Sequence, residues 1–295
     1  MDSLSPVPGA PAASCPPRRG LLRRLGRFGF SGWLGLALLA FWVLAAVVGP
    51  GLLPRALAGA GSGTVFGPIG ATHWLGTDYL GRDMLARVVD GARYTVGVAL
   101  VATLLASGIG IALALLAAAG TARLDAVLSR LLDTLTAIPS KMFALIMVAG
   151  FGSSVQMLVF TAALIYVPGA FRIARALAVN IAALDYVTVA RTRGEGTLYI
   201  MRREILPNIL APMLADFGLR FVYVVLLLAG LSFLGLGIQP PAADWGSLVR
   251  ENIGALPDAG ASVIAPALAI ASLTIAVNLV IDSLPGRAER ARLER

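Results

Sequence analysis

The chain has 295 residues, of which 58% are hydrophobic and only 14% charged, and its mean hydropathy is +0.83. Soluble domains carry roughly 25% charged residues, so water is excluded as the solvent for most of this chain. The net charge of +8 would point to nucleic acid in a soluble protein, but here the arginines cluster at the ends of apolar blocks without interleaved aromatics, and no nucleic-acid partner is expected. The single cysteine, Cys15, leaves no internal disulfide framework or cysteine-based metal site.

Residues 1–17 hold Pro6, Pro8, Pro11, Pro16 and Pro17 among small residues, a composition that neither nucleates a helix nor buries a core. Arg18, Arg19, Arg23, Arg24 and Arg27 follow, so 1–27 reads as a disordered basic tail. No charge occurs from Phe28 to Pro54. A cleaved signal peptide ending near Ala56-Leu57-Ala58 is one reading. The stretch exceeds the roughly 7 to 15 residues of a signal h-region, however, and a retained first transmembrane helix at 28–50 is expected. Further apolar blocks run from about Tyr94 to Ala119, Leu128 to Phe151, Val155 to Leu177, Ile209 to Ile238 and Ser262 to Leu284. Each approaches the length that crosses about 30 Å of hydrocarbon, and together they predict six spans.

With six spans, most of the 24 basic residues fall on the side of the amino terminus: the five above, Arg123 and Arg130, Arg172, Arg175, Arg191, Arg193, Arg202 and Arg203, and Arg287, Arg290, Arg292 and Arg295. The opposite segments, 51–92 and 239–261, balance their arginines with acids. Both termini, including the tail 285–295, are therefore expected in the cytoplasm.

The stretch from Asp185 to Asn208 reads as helix, glycine-containing turn, helix. Val187, Ala190, Leu198, Met201, Ile205 and Leu206 recur at helical spacing with arginines between them. Gly194 and Gly196 permit backbone angles closed to other residues, and Pro207 is expected to end the second helix before the chain re-enters the membrane. At these residues the chain resembles the permease subunits of ATP-binding-cassette importers. Their coupling loop carries Glu-Ala-Ala, a Gly four residues after the last Ala, and a later Leu-Pro, matched here by Thr188-Val189-Ala190, Gly194 and Leu206-Pro207. Thr188 stands in the place of the acidic residue.

Two further segments are similar to the peptide and nickel branch of that family, in the manner of a dipeptide-permease C subunit. One is His73-Trp-Leu-Gly-Thr-Asp-Tyr-Leu-Gly-Arg-Asp83, with His73, Gly76, Thr77, Asp78, Gly81, Arg82 and Asp83 matching. The other is Leu231-Ser-Phe-Leu-Gly-Leu-Gly-Ile-Gln-Pro-Pro241, with Ser232, Gly235, Gly237, Gln239 and Pro240, followed by Asp244-Trp-Gly246. Arg130-Leu-Leu-Asp133 and Ile138-Pro139 extend the likeness over about 70–284. The resemblance implies an all-α integral membrane protein with the six-helix, type I ABC importer (MetI-like) permease fold, its core at 93–284 and its coupling helices at 186–207. It assigns ATPase coupling to Tyr186, Thr188, Ala190, Arg191, Gly194, Glu195, Leu206 and Pro207. It further implies an inner-membrane location and four kinds of partner: a homologous second permease, two ATPase subunits that bind ATP and Mg, an extracytoplasmic substrate-binding protein, and the lipid bilayer.

No phosphate-binding loop is possible in this chain, because the only lysine is Lys141, in Pro139-Ser-Lys-Met142. No catalytic role, cofactor or metal is expected of it. His73 suits a structural interfacial role beside Trp74 better than a metal site or proton relay. Asp133, Asp216 and Asp282, near span ends or inside spans, suit assembly contacts better than a proton pathway. An ion-gradient-driven secondary transporter is the competing function, but it would favour inverted repeats and mid-membrane charge. An intramembrane hydrolase would need a nucleophile and base within the bilayer. Which peptide or other small solute is carried is not legible in these residues.

Overall fold

The computed structural model describes residues 29–52, 64–257 and 260–283. The expected tails at 1–27 and 285–295, Cys15 and the 56–58 cleavage candidate lie outside the described residues. Helices α1 (Phe30–Leu52), α2 (Met84–Ala119), α3 (Ala122–Thr136), α4 (Ser140–Phe151) and α5 (Val155–Ala182) come first. They are followed by α6 (Asp185–Thr192), α7 (Leu206–Phe233), α8 (Trp245–Glu251) and α9 (Ala261–Asp282). A helical turn (Thr197–Tyr199) and a π-helical segment (Ile200–Ile205) run directly into α7.

Among the described residues, five helices are long and apolar enough to cross a membrane: Phe30–Gly49, Met84–Ala119, Val155–Ala182, Thr197–Phe233 and Ala261–Asp282. The sixth span is reached only by joining α3 and α4, which are bent by 80°. The span expected at 128–151 is thus a broken one. Pro139 disfavours α geometry at the residue before it, Ile138, and α3 carries Arg123, Asp125, Arg130 and Asp133, whereas α4 is apolar apart from Ser140 and Lys141.

Polar side chains cap the helices where the apolar runs begin. Asp83 accepts from the Ala86 N–H ahead of α2, Thr121 from Leu124 ahead of α3 and Ser154 from Met157 ahead of α5. The most extensive packing seam joins α2 and α5 through small residues. Ala99, Ala102, Ala106 and Ala114 are fully buried on α2, as are Ala170, Ala174 and Ala178 on α5. Lipid gives helices no hydrophobic reason to associate, so close approach of small residues supplies contact instead. Helices α1 and α9 pack antiparallel: a side chain at Gly35 would meet the Ala276 carbonyl at 2.8 Å, and Trp42 donates to Ser272 Oγ at 2.9 Å. One core cluster surrounds Trp42, Met84, Trp245, Leu248 and Leu273. A second, at the end where α1 begins, surrounds Phe171, Val187, Ile200, Ile205 and Ile209.

The seam makes a paired prediction. A Cβ at Gly110 would lie 2.5 Å from Ala170 Cβ and 2.9 Å from the Phe171 nitrogen, whereas at Gly108 nothing lies within 4 Å. Gly110→Val should therefore cost about 1–3 kcal/mol of packing and lower the Tm of the purified protein, with Gly108→Val unchanged within error. Equal Tm values would show that the seam is not close-packed.

Candidate functional site

The coupling segment is built on a helix end. At the carboxyl end of α6 the Gly194 N–H bonds the Arg191 carbonyl at 3.0 Å and the Glu195 N–H bonds the Ala190 carbonyl at 3.2 Å. This pair of bonds is a Schellman motif, which requires the residue after the cap to be left-handed. Gly194 has φ +82°, as the sequence suggested. Gly196 has φ −71° and no special need for glycine, correcting the expectation for it. Pro207 likewise does not end a helix. The Leu206 N–H bonds the Met201 carbonyl five residues back, and this wider π turn accommodates a proline ring that would clash with a regular α turn. The chain therefore runs as one helical rod from Thr197 to Phe233.

The apolar residues of this segment divide into two sets. Val187, Ile200, Met201 and Ile205 turn inward onto the chain's own core, Ala190 is buried outside that cluster, and Tyr186, Val189, Leu198 and Tyr199 are exposed. Helical spacing identifies the stripe but not its direction: Val187, Met201 and Ile205 of the stripe are buried within this chain. A recess of about 300 Å³ remains, lined by Tyr186, Val189, Ala190, Arg193, Glu195, Tyr199 and Glu204. Ala190 is its most buried lining residue; Thr188, Arg191 and Pro207 are exposed and Leu206 half-buried, and none of the four lines it. Asn208 donates to the Tyr186 hydroxyl at 3.1 Å and to the Glu204 carbonyl at 2.6 Å, tying α6 to the start of α7. Burial, aided by the charge of Glu204, pushes the Tyr186 phenol up.

At the far end, the segment 73–83 folds around Asp78. Its buried carboxylate accepts from the Leu80 and Arg82 N–H groups, both at 2.9 Å, and from Arg82 Nε at 2.6 Å. Gly76 and Gly81 both have φ +72°, and a Cβ at Gly76 would lie 2.5 Å from the Gly67 carbonyl. Thr77 accepts from the Gly67 N–H at 2.6 Å and donates to the Thr64 carbonyl, and it bridges to Asp83. One Asp83 oxygen caps α2 and the other meets His73 Nδ1 at 2.9 Å. His73 is thus engaged within the fold.

Residues that the sequence did not single out complete this end. Arg87 donates to the Pro241 carbonyl at 3.2 Å and, with Arg82, faces Glu251 at 3.5 and 3.9 Å. The Tyr79 N–H donates to Asn252 Oδ1 at 3.1 Å. The second family segment ends α7 with another Schellman turn at Gly235, φ +84°. Gln239 donates to the Gly235 and Gly237 carbonyls, and Gly237 leaves the room that Ser232 fills. Pro240 joins Pro241 through a cis bond. Ser232 donates to Asp244 at 2.6 Å, and Asp244 caps α8. Trp245, fully buried, donates to the Val88 carbonyl at 2.8 Å and packs edge-on against Trp42.

Three acids flagged by the sequence also resolve. Asp133 pairs with Arg172 at 2.9 Å, Asp216 with Arg220 at 2.8 Å, and Asp282 closes α9. Arg220 went unnoticed in the sequence, though its i,i+4 spacing from Asp216 was available. It also donates to the Tyr166 carbonyl at 3.0 Å across a gap kept open by Gly169.

Burial pushes the Asp244 carboxyl up against hydrogen bonds from Ser232 and Ser247 that pull it down. A carboxyl whose folded pKa lies above its unfolded value contributes most stability below the ordinary carboxylate range and loses it as pH rises through the folded value. Asp244→Asn mimics the neutral form. Its Tm relative to wild type should therefore climb as pH rises above the ordinary carboxylate value of about 4. A pH-independent difference would show that the ionised form carries no burial cost here.

The family described as "binding-protein-dependent transport system inner membrane component" matches residues 106–291. A putative peptide transport system permease protein of Brucella suis is 37% identical over 251 residues, 85% of this chain and 84% of that protein. A di/tripeptide transport system permease protein of Pseudomonas aeruginosa is 37% identical over 214 residues, 72% and 71% of the two chains. A glutathione transport system permease protein of Pectobacterium atrosepticum is 34% identical over 218 residues, 74% and 72%. With its apolar spans and these relatives, the chain is a multi-pass membrane protein that belongs to the binding-protein-dependent transport system inner membrane component family, the permeases of ABC importers.

Proposed function

We propose that this chain is the non-catalytic permease subunit of a peptide importer, forming one half of the translocation pathway beside a homologous permease. In this reading two cytoplasmic ATPase subunits bind ATP and Mg, and an extracytoplasmic binding protein delivers the peptide. Both termini and the recess lie in the cytoplasm, as the arginine distribution favours. The observation that carries the reading is the recess between α6 and the Thr197–Phe233 rod. A partner seated against Ala190 pushes on the same rod that crosses the membrane, so nucleotide-driven closure becomes a tilt of α7 in a rigid-body alternation of access. Arg191 and Arg193 form a solvated rim and contribute little individually.

Docking is tested by purifying the transporter and measuring how much ATPase stays bound. Val189→Glu at the exposed edge and Ala190→Glu at the buried position should each strip the ATPase, whereas Arg193→Ala retains it. Equal retention across the three variants would move docking elsewhere. Coupling is tested at the turn. Gly194→Val costs roughly 1–2 kcal/mol in a left-handed position, about 5- to 30-fold in the population of the correct turn. Peptide-stimulated ATPase activity should fall accordingly, while Gly196→Val couples normally. A normal Gly194→Val would remove the turn from the coupling path.

A further inference from the structure

Helix α3 has no place in the reading above. It begins three residues after α2 ends and is bent by 80° from α4, whose 12 residues rise only about 18 Å. Its two ion pairs give its direction. Asp125 pairs with Arg175 and Asp133 with Arg172. The acids stand about 12 Å apart along α3 and their arginines about 4.5 Å apart along α5. Both ends of α3 are thus tied to one short stretch of α5, at the end of the bundle at which α1 begins, while α3 stands 80° from α4.

Around the helix, at about 100° per residue, three strips follow one another. Leu128, Leu132 and Leu135 pack against the core cluster at this end. Leu124, Val127 and Leu131 come next and are exposed, Val127 at 62% and Leu131 at 61%. Arg123 and Arg130, two turns apart on one line, border that apolar strip and are exposed, with no ion pair among the described residues. A water-exposed loop helix has no use for the strip. A helix held flat at the mouth of a membrane span, with cations flanking exposed leucines, has the make-up of an interfacial helix.

We infer that α3 is a membrane-surface helix: Leu124, Val127 and Leu131 enter the boundary between headgroups and acyl chains, and Arg123 and Arg130 hold anionic phospholipid headgroups. The lipid is favoured as occupant by charge complementarity, and because α2 and α4 tie α3 to the membrane boundary at both of its ends.

The full-length protein, in a Cys15→Ser background and with the subunits that purify with it, is placed in nanodiscs of phosphatidylglycerol and phosphatidylcholine. Spin labels are attached at Ala126→Cys, Val127→Cys or Leu131→Cys. Labels at 127 and 131 should collide with oxygen far more than with a water-soluble nickel chelate, and the label at 126 the reverse. Nickel access at 127 equal to that at 126 would place the strip in water. Exclusion of both reagents from 127 and 131 would mean that a protein subunit covers it. Either result overturns the inference. In the second arm, association of spin-labelled phosphatidylglycerol relative to phosphatidylcholine should drop at least about fivefold in the Arg123→Gln/Arg130→Gln variant, and be largely kept in Arg123→Lys/Arg130→Lys. No drop with glutamine, or an equal drop with lysine, overturns the role of the two charges. Both arms run without nucleotide, so they stand apart from the ATPase docking tests.

Discussion

In hydrocarbon a backbone N–H or C=O without a partner costs several kcal/mol, and the remedy available to a single segment is to stay helical from one face of the bilayer to the other. The described helix ends are closed with the same economy of backbone groups, inside the membrane and at its edge. The chain turns at Gly194 and Gly235 with each helix end closed by a pair of backbone bonds to carbonyls that would otherwise be orphaned. It passes Pro207 by widening to a π turn rather than by breaking, and it enters α2, α3 and α5 through side-chain caps. Its helices then associate where alanine and glycine allow backbones to meet, as at Gly110 against Ala170.

Charge is handled under the same constraint. Burying one ion pair is at best neutral, because desolvation offsets most of the attraction, and breaking such a pair leaves an uncompensated charge. The far end gathers Asp78, Arg82, Arg87 and Glu251 so that each charge has a counter-charge within reach, supplemented by backbone N–H groups on Asp78 and the Pro241 carbonyl on Arg87. Inside α7, Asp216 and Arg220 pair within one turn, and the third direction of the guanidinium is taken by the Tyr166 carbonyl. These clusters fix geometry: the first locks the segment before α2 onto α8, and the second registers α7 against α5.

What the sequence made legible follows the physics of local signals. The left-handed glycine at 194 and the apolar runs of span length are local signals, and they emerge as read, apart from the break at Pro139. Two local readings failed because a longer-range factor decided them. The block from Leu128 to Phe151 has the length of one span, so length hides the break at Pro139, although the charges of α3 are largely gone beyond it. Proline at 207 reads as a stop because nothing in the local sequence marks the π turn that absorbs it. Direction is a further limit: period gives a stripe on 186–207 but not whether Val187 and Ala190 face this chain or another. The far-end pairing of Arg87 with Glu251 joins residues 164 positions apart, and no spacing rule reaches that far.

The rod from Thr197 to Phe233 ties these features into one mechanical element. Its first turns carry Tyr199 and Glu204 at the recess, its middle carries Arg220 locked to α5, and its last turn carries Ser232 bonded to Asp244 of α8. A rod held at both ends and pinned near the middle does not bend freely. In the proposed coupling, a displacement at the recess would be resisted at Arg220 and reappear at Ser232 as a tilt. Since α8 is joined through Tyr79, Arg82 and Arg87 to the segment that opens α2, the tilt must move that end as a unit or break buried charge pairs at a cost of about 3–5 kcal/mol each. Moving as a unit is the cheaper course, and it is the behaviour that a gate driven from the opposite end of the bundle requires.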